Sequence, residues 1–459
     1  MKAANTHDVG RVVILGDGFE GCLAAASLTD AGVPVVVLPS LEAGAWDAAY
    51  TALPLRPDDL LGQLGVSELQ LLIDHGGSYA LGIDANDVTV PFGPTGIDFH
   101  GSRFHHHWRL ASEPPFFAFS PSWVALQDGR FAPPVPQNAI DSLQHELVRL
   151  VDIKSLTNHL RTIAATNGAT FLPRPLADVE RNDVGGLAAV VDMNGQRHHA
   201  DLYIDASGPT RQLLPSDSAW STCGPSGTLS VSHSPTAALR PSITGTLTGD
   251  SCVVAFPQQS NLTTLRVDLD ASATPTWVPG FRDAPWIDNC VSIGFAASHN
   301  VPLMPWHTSA LMRSVRRLID YLPDRHHSRP SRTTYNRQTV AEYAELQSID
   351  HLLLAWARSR APLSDALAAR VALFEKRGFW HAGDTTLIDD CTWINTLFAL
   401  GYRPCGGDVL AERWSMAERR RELRELRERI TRVIAAFPTL GDYIAAAHRA
   451  VELRREVQA

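Results

Sequence analysis

Along the first forty residues the apolar positions change period twice. Arg11–Leu15 is a short apolar run, Cys22–Asp30 is rich in alanine, and Val33–Leu38 is apolar again. Between the first two stands Gly16-Asp17-Gly18-Phe19-Glu20-Gly21. This order predicts strand, glycine turn, helix and strand, a βαβ unit that opens a parallel sheet. Asp152–Gly168 has helical periodicity, and Leu187–Asp192, Gly195-Gln196 and Ala200–Ile204 predict a hairpin leading into a buried strand. Ser226–Asp270 alternates in short Thr-, Ser- and Val-rich runs, the pattern of a mainly antiparallel sheet. From His307 onward the pattern is helical, and Met416–Ala436 sets leucines about one turn apart in a charged background, as an amphipathic surface helix does. Pro91–Pro136, where aromatics alternate with Pro, Gly and His, predicts irregular strands and loops on the substrate side.

Composition narrows the function classes. The 459 residues are 44% hydrophobic and 19% charged, the balance of an ordered globular chain. A formal charge of -9 argues against nucleic acid, which needs a basic surface. No apolar stretch reaches the roughly 18 residues of a membrane span, so no membrane partner and a cytoplasmic location are expected. Six cysteines stand far apart without a CxxC pair, which predicts buried thiols rather than a disulfide framework or zinc site. His105-His106-His107 and His326-His327 invite a metal reading. Read as extended segments, their adjacent side chains point to opposite faces, and no metal is expected. Without a G-x-S-x-G elbow, a hydrolase has no support.

Gly16, Gly18 and Gly21 fit G-x-G-x-x-G in the right setting. The first glycine permits the turn, the second lets backbone amides approach a pyrophosphate, and the third allows close packing. The fingerprint also wants an acidic residue at the end of the second strand, to accept hydrogen bonds from the ribose. Here that strand ends Leu38-Pro39-Ser40, so Pro39 takes the acidic position, with Ser40 and Glu42 nearby as substitutes. Two outcomes stay open, a retained dinucleotide site and one that has drifted.

The segment Ala284–Ala297, running on through Val301-Pro302-Leu303, resembles the late strand and turn of flavin-dependent tryptophan halogenases, whose motif reads GLAA-x-F-x-EPLEST. Further similarities follow in the family's order. Asp205-Ala206-Ser207-Gly208 is similar to the end of "DLFIDCSG", and Tyr335-Asn336-Arg337, Thr392-Trp393-Ile394, Gly401-Tyr402-Arg403-Pro404 and Phe437-Pro438 with Tyr443 resemble its helical region. The resemblance implies an α/β fold: a GxGxxG FAD-binding Rossmann-like module with an added β-sheet layer (1–306), and a C-terminal helical substrate module (307–459). It further implies FAD, or reduced FAD supplied by a separate flavin reductase, held by Gly16, Gly18, Gly21, Ser40 and Phe295, and a small aromatic molecule as the other partner.

The departures fall on the positions that do the family's chemistry. Ala80, in Ser78–Ile83, stands where "TFKLGI" has its lysine, and Met304 stands where "EPLEST" has its glutamate, followed by Pro305-Trp306-His307. Cys252–Pro257 keeps only the proline of WxWxIP, Ala49–Pro54 only that of "GEATVP", and Val90 replaces a histidine before Pro91-Phe92-Gly93. A methyl group cannot form a haloamine, and a thioether is no general base. Halogenation by the family route is therefore not expected. The substrate-pocket candidates are Ala80, Phe92, Met304, Trp306 and Trp393, with Ala80, Met304 and Trp306 expected to converge. His307 is the sole candidate for proton transfer beside Met304. Three readings stay open: a non-halogenating flavin monooxygenase or oxidase acting on an apolar aromatic or indole-like substrate, a silent relative that binds a ligand or protein partner, and a halogenase using other residues.

Overall fold

The computed structural model describes residues 9–40, 46–54, 59–111, 114–131, 146–214, 219–269, 276–301, 303–323, 329–358, 361–381 and 385–458. The chain forms two compact units, each assembled from three separate stretches. The first holds Met1–Leu71, Val151–Ser232 and Leu265–Asp350, and the second Leu72–Leu150, His233–Thr264 and His351–Ala459. This differs from the expected single boundary at 306/307. The physical reason lies in strand pairing: Gly82–Ala85 and Ile243–Leu247 pair in parallel, so two inserted stretches fold on each other and not on the parallel sheet.

The first unit is built on β1 (Val12–Leu15), α1 (Phe19–Asp30) and β2 (Val35–Leu38), as the apolar periods predict. Val12–Leu15 pairs with Val35–Leu38 in parallel, residue for residue. Later segments extend the sheet: α2 (Ile153–Thr166) leads to β3 (Thr170–Phe171), and β4 (Leu202–Asp205), β5 (Trp286–Ile287) and β6 (Cys290–Ser292) follow. The order is β5-β6-β4-β1-β2-β3, parallel except at the β5 edge. Runs of Val and Leu suit such strands because both faces are covered. On one face Val13, Leu15, Val36, Leu38 and Tyr203 join the buried hairpin strand Leu187–Asp192 through Leu187 and Val190. The helix α3 (Trp306–Asp320), where the helical pattern was expected to begin, belongs to this unit.

The second unit contains the antiparallel pair Ile243–Leu247 and Ser251–Pro257, within the stretch read as an antiparallel sheet. Its helices pack through the leucine stripe: Met416–Ala435 starts in a Ser415/Glu418 capping box and buries Leu423, Ile430 and Ile434. Ile430 and Ile434 share a core with Tyr79, Leu81, Phe131 and Leu440. The stretch expected to be irregular contains helices at Phe104–Ala111 and Pro121–Gln127. Ser120 accepts from the Trp123 amide and Pro121 fills the first turn, a start signal that outweighs the local proline and glycine content. Residues 132–136 of that stretch lie outside the described residues.

His105–His107 are therefore helical, not extended, and all three are buried. His105 donates from Nε2 to the Gly378 carbonyl at 2.7 Å, and burial pushes its pKa below the usual histidine range. Among the described residues no group of three His, Cys, Asp or Glu side chains is placed to hold a metal. His326-His327 lie outside the described residues. No described helix is long and apolar enough to cross a membrane.

Candidate functional site

The glycine turn joins β1 to α1, and two of its glycines answer to backbone packing. Gly16 adopts φ +115°, a conformation that L side chains rarely enter, and its N–H donates to the Leu38 carbonyl at 2.8 Å. A Cβ on Gly16 would lie 2.0 Å from the Ala206 carbonyl oxygen, and one on Gly21 would lie 1.9 Å from the Gly16 carbonyl oxygen. Asp205, at the end of β4, fixes the facing turn. Its Oδ1 accepts from the Ser207 amide and hydroxyl at 3.1 and 2.5 Å, and its Oδ2 from the Leu213 amide at 3.0 Å.

Gly18, the glycine that lets a phosphate approach in the fingerprint, faces a carboxylate. A Cβ there would lie 2.8 Å from both carboxylate oxygens of Asp47, and Asp47 Oδ1 accepts the Phe19 N–H at 3.0 Å. The first free amide of α1 is thus capped by a residue 28 positions away. Burial raises the Asp47 pKa to about 6, against the lowering effect of that amide. Beside it, the side chain of Glu20 is wholly buried in the first turn of α1. Its Oε1 accepts from the Tyr50 hydroxyl at 2.6 Å and the Phe295 amide at 2.7 Å, while Oε2 has no hydrogen-bond partner among the described residues. Burial raises its pKa to about 8, with Asp47 and Asp205 adding to the rise. Asp17, on the same turn, pairs with Arg161 of α2 at 3.1 Å.

Aromatic rings fill the space beyond the turn. Trp46 stacks on Trp277 at 5.7 Å, Phe295 lies 5.1 Å from Tyr50 and 5.8 Å from Trp277, and Tyr50 lies 5.2 Å from Phe19. Burial lowers the pKa of His299, in the same pile, to about 3. A pyrophosphate at this turn would have to share Gly18 and the Phe19 amide with the Asp47 carboxylate, so the residues present do not fit FAD in the pose that the fingerprint implies. Ser40 follows β2 and is half-buried, and Glu42 lies outside the described residues.

The remaining candidates fall in both units. Met304 and Trp306 belong to the first and are buried, Trp306 opening α3. His307 follows. Its Nε2 lies 2.6 Å from the Ala49 carbonyl and its Nδ1 3.2 Å from the Met304 carbonyl. Carbonyls only accept, so the single N–H of a neutral ring is spent on Ala49, and burial lowers the pKa. A ring so held fastens α3 to the turn at Ala49 and is a poor proton carrier.

Ala80, Phe92 and Trp393 belong to the second unit. Ala80 is fully buried in the strand Ser78–Ala80, opposite Val148. Trp393 stands 4.6 Å from Trp380, with the Arg370 guanidinium over both rings at 5.0 and 4.4 Å. Asn395, two residues on, donates to the carbonyls of Pro91 and Gly93, which ties the helix bearing Trp393 to the turn at Phe92.

A family profile described as tryptophan halogenase matches residues 11–223 and 257–415, most of the chain. The chain belongs to the tryptophan halogenase family. Solved halogenases share its fold. BrvH, a flavin-dependent halogenase from Brevundimonas sp. BAL3, is 21% identical with a TM-score of 0.86, over 96% of this chain and 99% of that one. Xcc4156, a flavin-dependent halogenase from Xanthomonas campestris, is also 21% identical, with a TM-score of 0.85 over 96% and 98%. The tryptophan 6-halogenase SttH from Streptomyces toxytricini is 17% identical, with a TM-score of 0.82 over 95% and 100%. No curated protein matches by sequence. The halogenase-like α/β architecture implied by the residue resemblance is thus the fold of the chain.

Sequence reading passed over Asp47, Tyr50 and the role of Glu20. One signal was available: a fingerprint loop that itself carries two carboxylates, Asp17 and Glu20, is a poor receptor for an anion.

Proposed function

We propose that this member of the tryptophan halogenase family is silent in halogenation and binds a small uncharged aromatic molecule. One observation carries the reading. The positions read as the family's lysine and glutamate hold Ala80 and Met304, both buried, and His307, three residues after Met304, is committed to backbone carbonyls. Supplied with reduced FAD, oxygen and bromide or chloride, the protein is expected to give no halogenated tryptophan or indole above a free-hypohalite control. Product above that control overturns the reading. Under it no flavin reductase is required.

The ligand class follows from what the substitutions remove. A charged group is costly to hold away from water without a partner, and Ala and Met offer none. Indole and simple phenols are therefore expected to bind more tightly than zwitterionic tryptophan, by about tenfold or more. Titration calorimetry with the three ligands checks this, and Trp306→Ala is expected to weaken indole. Equal affinity for indole and tryptophan sinks the ligand assignment.

A second reading, a non-halogenating FAD monooxygenase or oxidase, draws on the intact strand–turn–helix with Gly16 at φ +115°. Its signature is a protein that purifies yellow, or that takes up FAD saturably.

A further inference from the structure

The family fingerprint reserves the space at its second glycine for a phosphate. In this chain that space has a tenant from within. The Asp47 carboxylate lies against Gly18 and accepts the Phe19 amide, which is where a phosphate oxygen would accept it. We propose that Asp47 is a built-in substitute for the dinucleotide pyrophosphate, and that it keeps FAD out of the glycine turn. The inference concerns this turn alone, so it stands or falls apart from whether indole binds.

Three further observations carry it. First, charge: the Asp47 carboxylate stands at the turn, and among the described residues the nearby Arg161 is paired with Asp17, so an incoming dianion meets a carboxylate where it needs a donor. Second, the tenant is fixed. Trp46, the preceding residue, is stacked on Trp277, and Tyr50, three residues on, is bonded to Glu20, so releasing Asp47 disturbs a packed aromatic pile. A ligand tethered in the same chain also competes at an effective concentration that a free cofactor at micromolar levels does not reach. Third, Glu20 adds to the first turn of α1 a buried side chain whose Oε2 lacks a hydrogen-bond partner among the described residues, held in place by Phe295 and Tyr50. The first turn of α1 is thus closed by two carboxyl side chains.

The test uses the full chain, with inorganic pyrophosphate and FAD as probes. Wild type is expected to show no saturable change in FAD fluorescence and no rise in thermal midpoint with pyrophosphate. Asp47→Ala uncaps α1 and is expected to lower the midpoint by a few degrees, and pyrophosphate should then restore it saturably. Asp47→Asn keeps an acceptor oxygen for the Phe19 amide while removing the charge. It serves if the alanine variant does not fold, and is expected to respond to pyrophosphate more weakly than alanine. The double variant Asp47→Ala/Glu20→Ala should take up FAD where wild type does not. Saturable FAD binding by wild type overturns the proposal, as does a folded Asp47 variant whose response to pyrophosphate equals that of wild type.

Discussion

Replacing Gly21 by alanine should cost the protein several times the stability of an ordinary added methyl group, even with no cofactor present. The new Cβ would lie 1.9 Å from the Gly16 carbonyl oxygen. That oxygen cannot step aside. Gly16 is held by its N–H bond to Leu38 and by the close approach of the Ala206 carbonyl on its other side. Relief would require α1 to move away from β1, opening the buried core of the first unit. Overpacking of this kind costs roughly 1–3 kcal/mol where side chains can give, and more where backbone must move. A loss of about 4 kcal/mol is expected, seen as a lower denaturant midpoint or as insoluble protein. Gly62→Ala is the control. It lies in the helix Leu60–Gln63 with nothing within 4 Å of an added Cβ, and the change should stabilise by about 0.5–1 kcal/mol. A Gly21→Ala protein as stable as wild type would mean that the turn is not packed as described.

That contrast explains what was legible in the sequence. Gly16 and Gly21 serve the strand–turn–helix itself, so they persist whether or not a phosphate sits above them. The motif therefore reports a local fold with fidelity and a cofactor only by association. Apolar period likewise exposed β1, α1, β2 and α2, because local spacing decides which face is buried. What fills the turn was not legible. Asp47 reaches the Phe19 amide from 28 residues away, through a turn whose own sequence, Trp46–Thr51, gives no sign of its target. The interleaving of the two units was hidden for the same reason: it depends on Gly82–Ala85 finding Ile243–Leu247 across some 160 residues. Which atoms Ala80 and Met304 carry could be read directly, and that they stand in for the family's lysine and glutamate is the proposal made above.

Stability should fall as pH rises from about 6.5 to 8.5, and Glu20→Gln should flatten that slope. Three buried carboxyls have pKa values raised by burial, Glu20 to about 8, Asp350 to about 7 and Asp47 to about 6. A raised carboxyl pKa means that the folded chain holds a proton which the unfolded chain releases. The contribution is complete below the ordinary carboxylate range and is lost as pH climbs to the folded value. Buried histidines act on the other side. His106 and His299 are lowered to about 3, and His105, His107 and His307 are lowered as well, so each favours unfolding below the ordinary histidine range near 6.5. The two groups together place the stability maximum near neutrality. Above it Glu20 dominates, since Asp47 is already largely ionised and Asp350 completes its titration first. Each proton contributes a slope of about 1.4 kcal/mol per pH unit, so Glu20 alone accounts for on the order of 2 kcal/mol between pH 6.5 and 8. In Glu20→Gln the Oε1 acceptor for Tyr50 and Phe295 survives, but the amide nitrogen at the unpartnered Oε2 position lacks an acceptor. The variant should therefore be less stable than wild type at pH 6 and draw level by pH 8.5. Denaturant unfolding at four pH values tests this, and a Glu20→Gln protein whose stability falls as steeply as that of wild type would remove Glu20 as the source.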